Sequence, residues 1–209
     1  MINGVSSPEP TPTAGQQGDW ESLLPDVIDP ANPPVGAFDG FAVLLAGESE
    51  LPWAMVNWFG AVRGQQLFVG LANPADPDLP QADRTMPELT HGYCPDVYNN
   101  RRTLILNDTL GYNQFATNPV IDEFGIRTYQ GSPLIDERTG HVWGTICAIG
   151  QNPRPRTVGR PAKLLMEHLR DLLMKPLYER VPLASASHHS TTPRALTAPA
   201  ALTRPGFHR

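Results

Sequence analysis

The sequence predicts an α+β domain, in which an antiparallel sheet carries its terminal helices on one face and leaves the other face to inserted segments. Three observations carry this reading. Apolar residues recur at helical spacing near both ends of the core, they alternate in paired runs between those ends, and two loop-rich insertions separate the runs. With 209 residues, 40% of them hydrophobic, the chain is long enough to bury one full core.

Residues 1–18 are rich in Pro, Ser, Thr and Gly with almost nothing to bury, so a disordered tail is expected there. Residues 182–209 have the same character with a basic tint, leaving 19–181 as the folded domain. In "AFDGFAVLLAGE", Phe38, Phe41, Ala42 and Leu45 fall at helical spacing, and Pro52 closes the segment. "WAMVNWFGAVRGQQLFVGL" alternates around Arg63 and Gly64 as a β-hairpin does. "NPADPDLPQADRTMPE" reads as a loop, "HGYCPDVYNN" as a short helix, and "RTLILND" as a strand ending at Asn107 and Asp108. "TLGYNQFATNPVIDEFG" is a turn and a short helix stopped by Gly125.

A second hairpin is expected over Ile126–Gly150, turning at Asp136–Gly140. Its first strand holds Tyr129-Gln130-Gly131-Ser132-Pro133. Glycine inside a strand marks a bulge or a close approach, and proline removes a ladder donor. A bulge at a sheet edge and a strand opened beside a cavity both satisfy that pattern. In the closing helix Leu164, Leu165, His168, Leu169, Leu172 and Leu173 form one stripe, which Pro176 is expected to kink or end.

Composition bounds the function. The 23 prolines are about twice ordinary usage and concentrate towards the ends. A net charge of −5 argues against nucleic acid as a general partner. No Lys or Arg precedes Arg63 while eight acids do, and from Gln151 onward ten basic residues face three acids. No apolar run approaches the ~20 residues that span a bilayer, and the first residues lack the pattern of a signal peptide, so a cytoplasmic protein with no membrane partner is expected. Cys94 and Cys147 are too few for a disulfide scaffold and lack a zinc spacing, and are expected as free thiols.

No Gly-rich phosphate loop, G-x-S-x-G, H-E-x-x-H or C-x-x-C is present, so no specific catalytic motif points to an enzyme. His91 and Cys94 stand three apart and offer a metal or haem ligand pair, against helix capping by His91 and core packing by Cys94. Alternation puts Thr145, Cys147 and Ile149 on one face of the last strand, where packing is the plain role for Cys147.

The ordered set "HGYCPDV", "RTLILNDTLGYNQFATNPVIDEFGIRTYQGSPLID" and "GHVWGTICAIGQNPRPRT" resembles the GAF domain, a small-molecule sensor fold. The resemblance implies a central antiparallel sheet of five to six strands, terminal helices on one face that often dimerise, and a lidded pocket on the other. By position it implies ligand-binding roles for Tyr93, Cys94, Val97, Asn107, Asp108, Tyr112, Phe115, Tyr129, Gly131 and Pro133. It further implies an unidentified small-molecule ligand, with signalling through a homodimer or a separate protein, and it fixes no cofactor. The phosphodiesterase-type signature is absent, and Pro95 stands where a His commonly follows a chromophore-bearing cysteine. The competing expectation is a redox or haem-dependent protein on the same fold that uses Cys94, Cys147 or His91.

Overall fold

The computed structural model describes residues 20–88 and 90–183. The expected tails lie outside the described residues, apart from 182 and 183. Six strands form one sheet with every neighbouring pair antiparallel. In chain order the elements are α1 (Asp39–Ser49), β1 (Trp53–Val62), β2 (Gln65–Ala72), β3 (Thr85–Pro87), α2 (Cys94–Asn100), β4 (Leu104–Leu106), α3 (Val120–Phe124), β5 (Thr128–Asp136), β6 (His141–Gly150) and α4 (Gly159–Arg180). The strands lie in the order β3-β2-β1-β6-β5-β4, so the two long hairpins meet along β1 and β6 at the centre.

Period-two alternation sends successive side chains of each central strand to opposite faces. Ala54, Val56 and Trp58 of β1, with Ile146 and Ala148 of β6, pack under α1 and α4. Phe38, Phe41, Ala42 and Leu45 are all fully buried there, as their spacing predicts. Trp53 and Met55 of β1, Tyr129 of β5 and Cys147 of β6 face the other way, under the segments that carry α2 and α3.

The structure departs from the sequence reading at four places. The loop before α2 contains β3, which pairs with Gln65–Leu67 at the sheet edge. Its anchor is the Gln66 side chain, whose Nε2 donates to Pro87 O at 3.3 Å and His91 O at 2.8 Å. In α4 the buried residues are Ala162, Met166, Leu169, Leu173, Met174, Pro176 and Leu177, whereas Leu164 and His168 point to solvent. Leucines nearly all round the helix leave the stripe undetermined by composition, and the sheet selects the side.

Pro176 does not end the helix, which runs to Arg180. Being buried in the penultimate turn, it forfeits one backbone bond close to the helix end, while Leu177 beyond it stays fully buried. Finally, Tyr129–Pro133 is neither bulged nor opened. It pairs without a break to Ile149–Thr145, and the register shift comes only after Leu134. Proline is tolerated because β4 pairs no further along β5 than Gly131, leaving Pro133 on an edge stretch.

A charged joint ties the second hairpin to α4. Asp136 is fully buried and receives Arg138 Nε at 2.9 Å and Nη2 at 3.0 Å, while Arg138 Nη1 donates to Tyr178 O at 2.9 Å. The guanidinium also stacks over the Tyr178 ring, 5.0 Å from its centroid. Burial raises the Asp136 pKa, but the side-chain and backbone hydrogen bonds from Arg138 outweigh it and hold the carboxyl below the usual value.

Candidate functional site

The site begins where α2 begins. Gly92, at φ +76°, takes a conformation that favours glycine, and its peptide is held on both sides by one side chain: Gly92 N donates to Asn118 Oδ1 at 3.0 Å and Asn118 Nδ2 donates to Gly92 O at 2.8 Å. Asn118 thereby locks the segment before α3 to the start of α2. That lock sets Tyr93 edge-on to Phe115 at 5.5 Å and to Tyr129 at 5.2 Å between ring centroids. Cys94 follows directly and is buried.

Tyr129 reaches Cys94 from the sheet, its hydroxyl donating to Sγ at 3.4 Å. Gly131 makes this possible. A Cβ there would collide with the Tyr129 hydroxyl, so the ring lies back along its own strand only because residue 131 has no side chain. Cys147 sits opposite Gly131 in the β5–β6 register, in the same buried cluster as Cys94, with its thiol 3.8 Å from Met55 Sδ. Beside them the Thr145 hydroxyl and the Asn57 side-chain oxygen are buried without a hydrogen-bond partner among the described residues.

These contacts act unequally on the two thiols. The neighbouring Cys147 thiol, with the polar side chains of Thr145, Tyr129 and Asn57, outweighs burial and lowers Cys94 to about 7. Cys147 is pushed well above its usual value by the same neighbour and by burial. Burial and the nearby thiols push Tyr129 up as well, so it keeps its proton.

Between α2 and the sheet lies a cavity of about 30 Å³, lined by Met55, Gln66, Tyr93, Cys94, Tyr129 and Cys147 among others. Of its lining only Met86, Gly92 and Ile149 are partly exposed. Pockets for drug-sized ligands run to roughly 300–1,000 Å³, so this one in its present form accepts only a species of a few heavy atoms.

The residues expected at the site divide into three groups. Tyr93, Cys94 and Tyr129 line the cavity. Val97 and Phe115 are buried in the surrounding apolar cluster, and Gly131 lies beneath the Tyr129 ring. Pro133, Asn107, Asp108 and Tyr112 are outside the lining. Pro133 pairs with Thr145, and the Asn107 carbonyl accepts from Arg154 N at 2.7 Å. Asp108 takes both arms of Arg127 at 2.9 and 2.8 Å, while Tyr112 is 40% exposed beside Phe115.

His91 is also outside the lining. Its Nε2 lies 3.0 Å from Glu123 Oε1 and its Nδ1 2.6 Å from Thr90 Oγ1. Sequence reasoning missed Met55, Gln66 and Met86, whose membership depends on strand register, and it left Cys147 to packing. The available signal was Asn57, Gln66 and Thr145, polar residues at inward positions of long strands.

The family model for the GAF domain matches residues 33–174. The chain belongs to the GAF domain family. Solved structures share its fold. A putative GAF sensor protein from Burkholderia vietnamiensis shares 15% identity at a TM-score of 0.54, covering 80% of this chain and 94% of that one. The reduced form of fRMsr of Staphylococcus aureus shares 12% identity at a TM-score of 0.54, covering 83% and 99%. Free methionine-R-sulfoxide reductase from Neisseria meningitidis, in complex with its substrate, shares 14% identity at a TM-score of 0.51, covering 78% and 80%. At these identities the likeness is one of fold. Among curated proteins none matches this chain in sequence. Among the described residues no helix is long and apolar enough to cross a membrane.

Proposed function

We propose that this GAF domain is a small-molecule sensor whose binding site is the cavity between α2 and the sheet. The observation that supports this best is the cavity's make-up: an apolar wall with two thiols in its lining, roofed by a segment that one side chain, Asn118, clamps shut. A ligand that prefers one arrangement of α2 and the Asn118 segment shifts the population between them, and only such differential affinity transmits a signal. The output passes to a second copy or to a separate signalling protein.

The test is thermal unfolding of the reduced protein against a library of small metabolites, repeated on Ile149→Phe, which narrows the cavity. A true ligand at 100 times its Kd stabilises the wild type by about 2.7 kcal/mol and stabilises the variant markedly less. Equal stabilisation of both proteins, or no stabilising compound together with no species retained in native mass spectra, would sink the proposal. A second reading, thiol redox chemistry at the same cavity, is favoured by one specific observation: Cys94 and Cys147 both line it.

A further inference from the structure

We propose that Cys94 and Cys147 form a reactive dithiol for small hydroperoxides, in which Cys94 attacks the peroxide oxygen and Cys147 resolves the product as a disulfide. The proposal rests on the cavity being the sensory site and names the species that acts there.

Three observations carry it. Both thiols are buried, yet both line one cavity, so a molecule that enters meets them together. The cavity volume of about 30 Å³ matches two or so water-sized volumes of roughly 10–15 Å³ each, the size of hydrogen peroxide. The polar groups are unevenly shared: the Tyr129 hydroxyl donates to the Cys94 sulfur at 3.4 Å, whereas the Cys147 thiol has the Met55 thioether 3.8 Å away. Donors around one sulfur favour its anion, and the anion is the nucleophile, so the asymmetry assigns the attacking and resolving roles. The lowered pKa of Cys94 agrees with that assignment.

The chemistry balances without further reactants. The Cys94 thiolate attacks the distal oxygen of R–O–O–H, the O–O bond breaks, and the departing R–O takes a proton to leave as R–OH, giving a sulfenic acid on Cys94. Tyr129, which keeps its proton at neutral pH and lies 3.4 Å from Sγ, is placed to donate to the departing oxygen. The Cys147 thiol then attacks the Cys94 sulfur, an S–S bond forms, and the sulfenic oxygen leaves as water. In sum, two thiols and one hydroperoxide become one disulfide, one R–OH and one water. Cys147 is fixed on a central strand while Cys94 opens a helix of seven residues, so the adjustment for bonding falls on α2, where it would carry the signal.

The experiment follows oxidation of the reduced full chain by hydrogen peroxide at pH 7, using intact mass and non-reducing peptide mapping. The expected result is loss of two hydrogens and a Cys94–Cys147 linked peptide, formed about tenfold or more faster than free cysteine reacts, the ratio of their thiolate fractions. Cumene hydroperoxide, too large for the cavity, should react far more slowly. Cys147→Ser should halt at a sulfenic acid on Cys94 that dimedone traps, and Cys94→Ser should leave Cys147 reduced. A rate no greater than that of free cysteine, oxidation of Cys147 at an undiminished rate in Cys94→Ser, or sulfinic acid on Cys94 with no disulfide in the wild type would overturn the proposal. Mapping on the wild type alone decides the matter should either variant fail to fold. Because metabolite stabilisation is read on reduced protein and peroxide oxidation by mass, the two failures are distinguishable, and failure of the peroxide chemistry leaves the binding proposal standing.

Discussion

On one face of the sheet Phe41 and Leu45 from α1 and Met166, Leu169 and Leu173 from α4 close over Ala54, Val56, Ile146 and Ala148. On the other, Tyr93 and Cys94 close over Met55, Tyr129 and Cys147 and leave a cavity. The same strands build both faces. Val56 alternates with Met55 and Asn57, and Ile146 with Thr145 and Cys147, so one strand serves packing and chemistry at once. The difference teaches where stability resides: a helix-covered face filled with large apolar groups secures the sheet, and the opposite face can then hold hydroxyls, an amide and thiols that would weaken a core made of them alone.

The largest test of this division is Phe41→Ala. Its ring is fully buried against Trp20, with centroids 4.9 Å apart, and its removal should cost about 3–5 kcal/mol in urea unfolding. Well below its own melting temperature, the variant should still show wild-type alkylation rates at Cys94. A parallel loss of thiol reactivity would mean that the two faces are mechanically one.

Next in size is the charged joint. The Asp136 carboxyl is held below its ordinary range by Arg138, against the cost of burial. A depressed carboxyl contributes stability that is complete above its unfolded value of 3.8 and is lost as pH falls through its lower folded value. Asp136→Asn should therefore cost on the order of 3 kcal/mol at pH 7, since it leaves Arg138 without its buried partner. In thermal unfolding the gap between wild type and variant should narrow as pH falls below 3.8. A gap that stays constant with pH would show that the joint acts through shape, not charge.

Legibility in the sequence follows the same division. The helix-covered face could be read because Phe38, Phe41, Ala42 and Leu45 repeat at helical spacing and both hairpins alternate around turns with glycine at positive φ. β3 escaped because three residues carry no period and its anchor, Gln66, is a tertiary contact. The side of α4 that faces inward was illegible because Leu164, Leu165 and Leu172 make more than one stripe plausible. At the cavity, motif order located Tyr93, Cys94 and Tyr129, while the facing of the two thiols depends on how α2 lies across β6, which no local pattern encodes. Asn107 and Asp108 end the right strand, but the first is tied to Arg154 by its carbonyl and the second turns outward to Arg127.

The smallest expected effects bear on the cavity face itself. Tyr129→Phe removes one buried hydrogen bond to Cys94 and should cost about 1 kcal/mol. Gly131→Ala places a methyl where the Tyr129 hydroxyl lies and should cost about 1–3 kcal/mol by overpacking, because the ring is buried against Tyr93. The double variant should lose less than the sum of the two, since deleting the hydroxyl relieves part of the collision. Both single changes should also slow alkylation of Cys94, the one by removing a donor from its sulfur and the other by pushing that donor aside. If Gly131→Ala instead left stability and Cys94 reactivity untouched, the glycine would be no more than a tolerated residue, and the link from strand sequence to thiol chemistry would break at its first step.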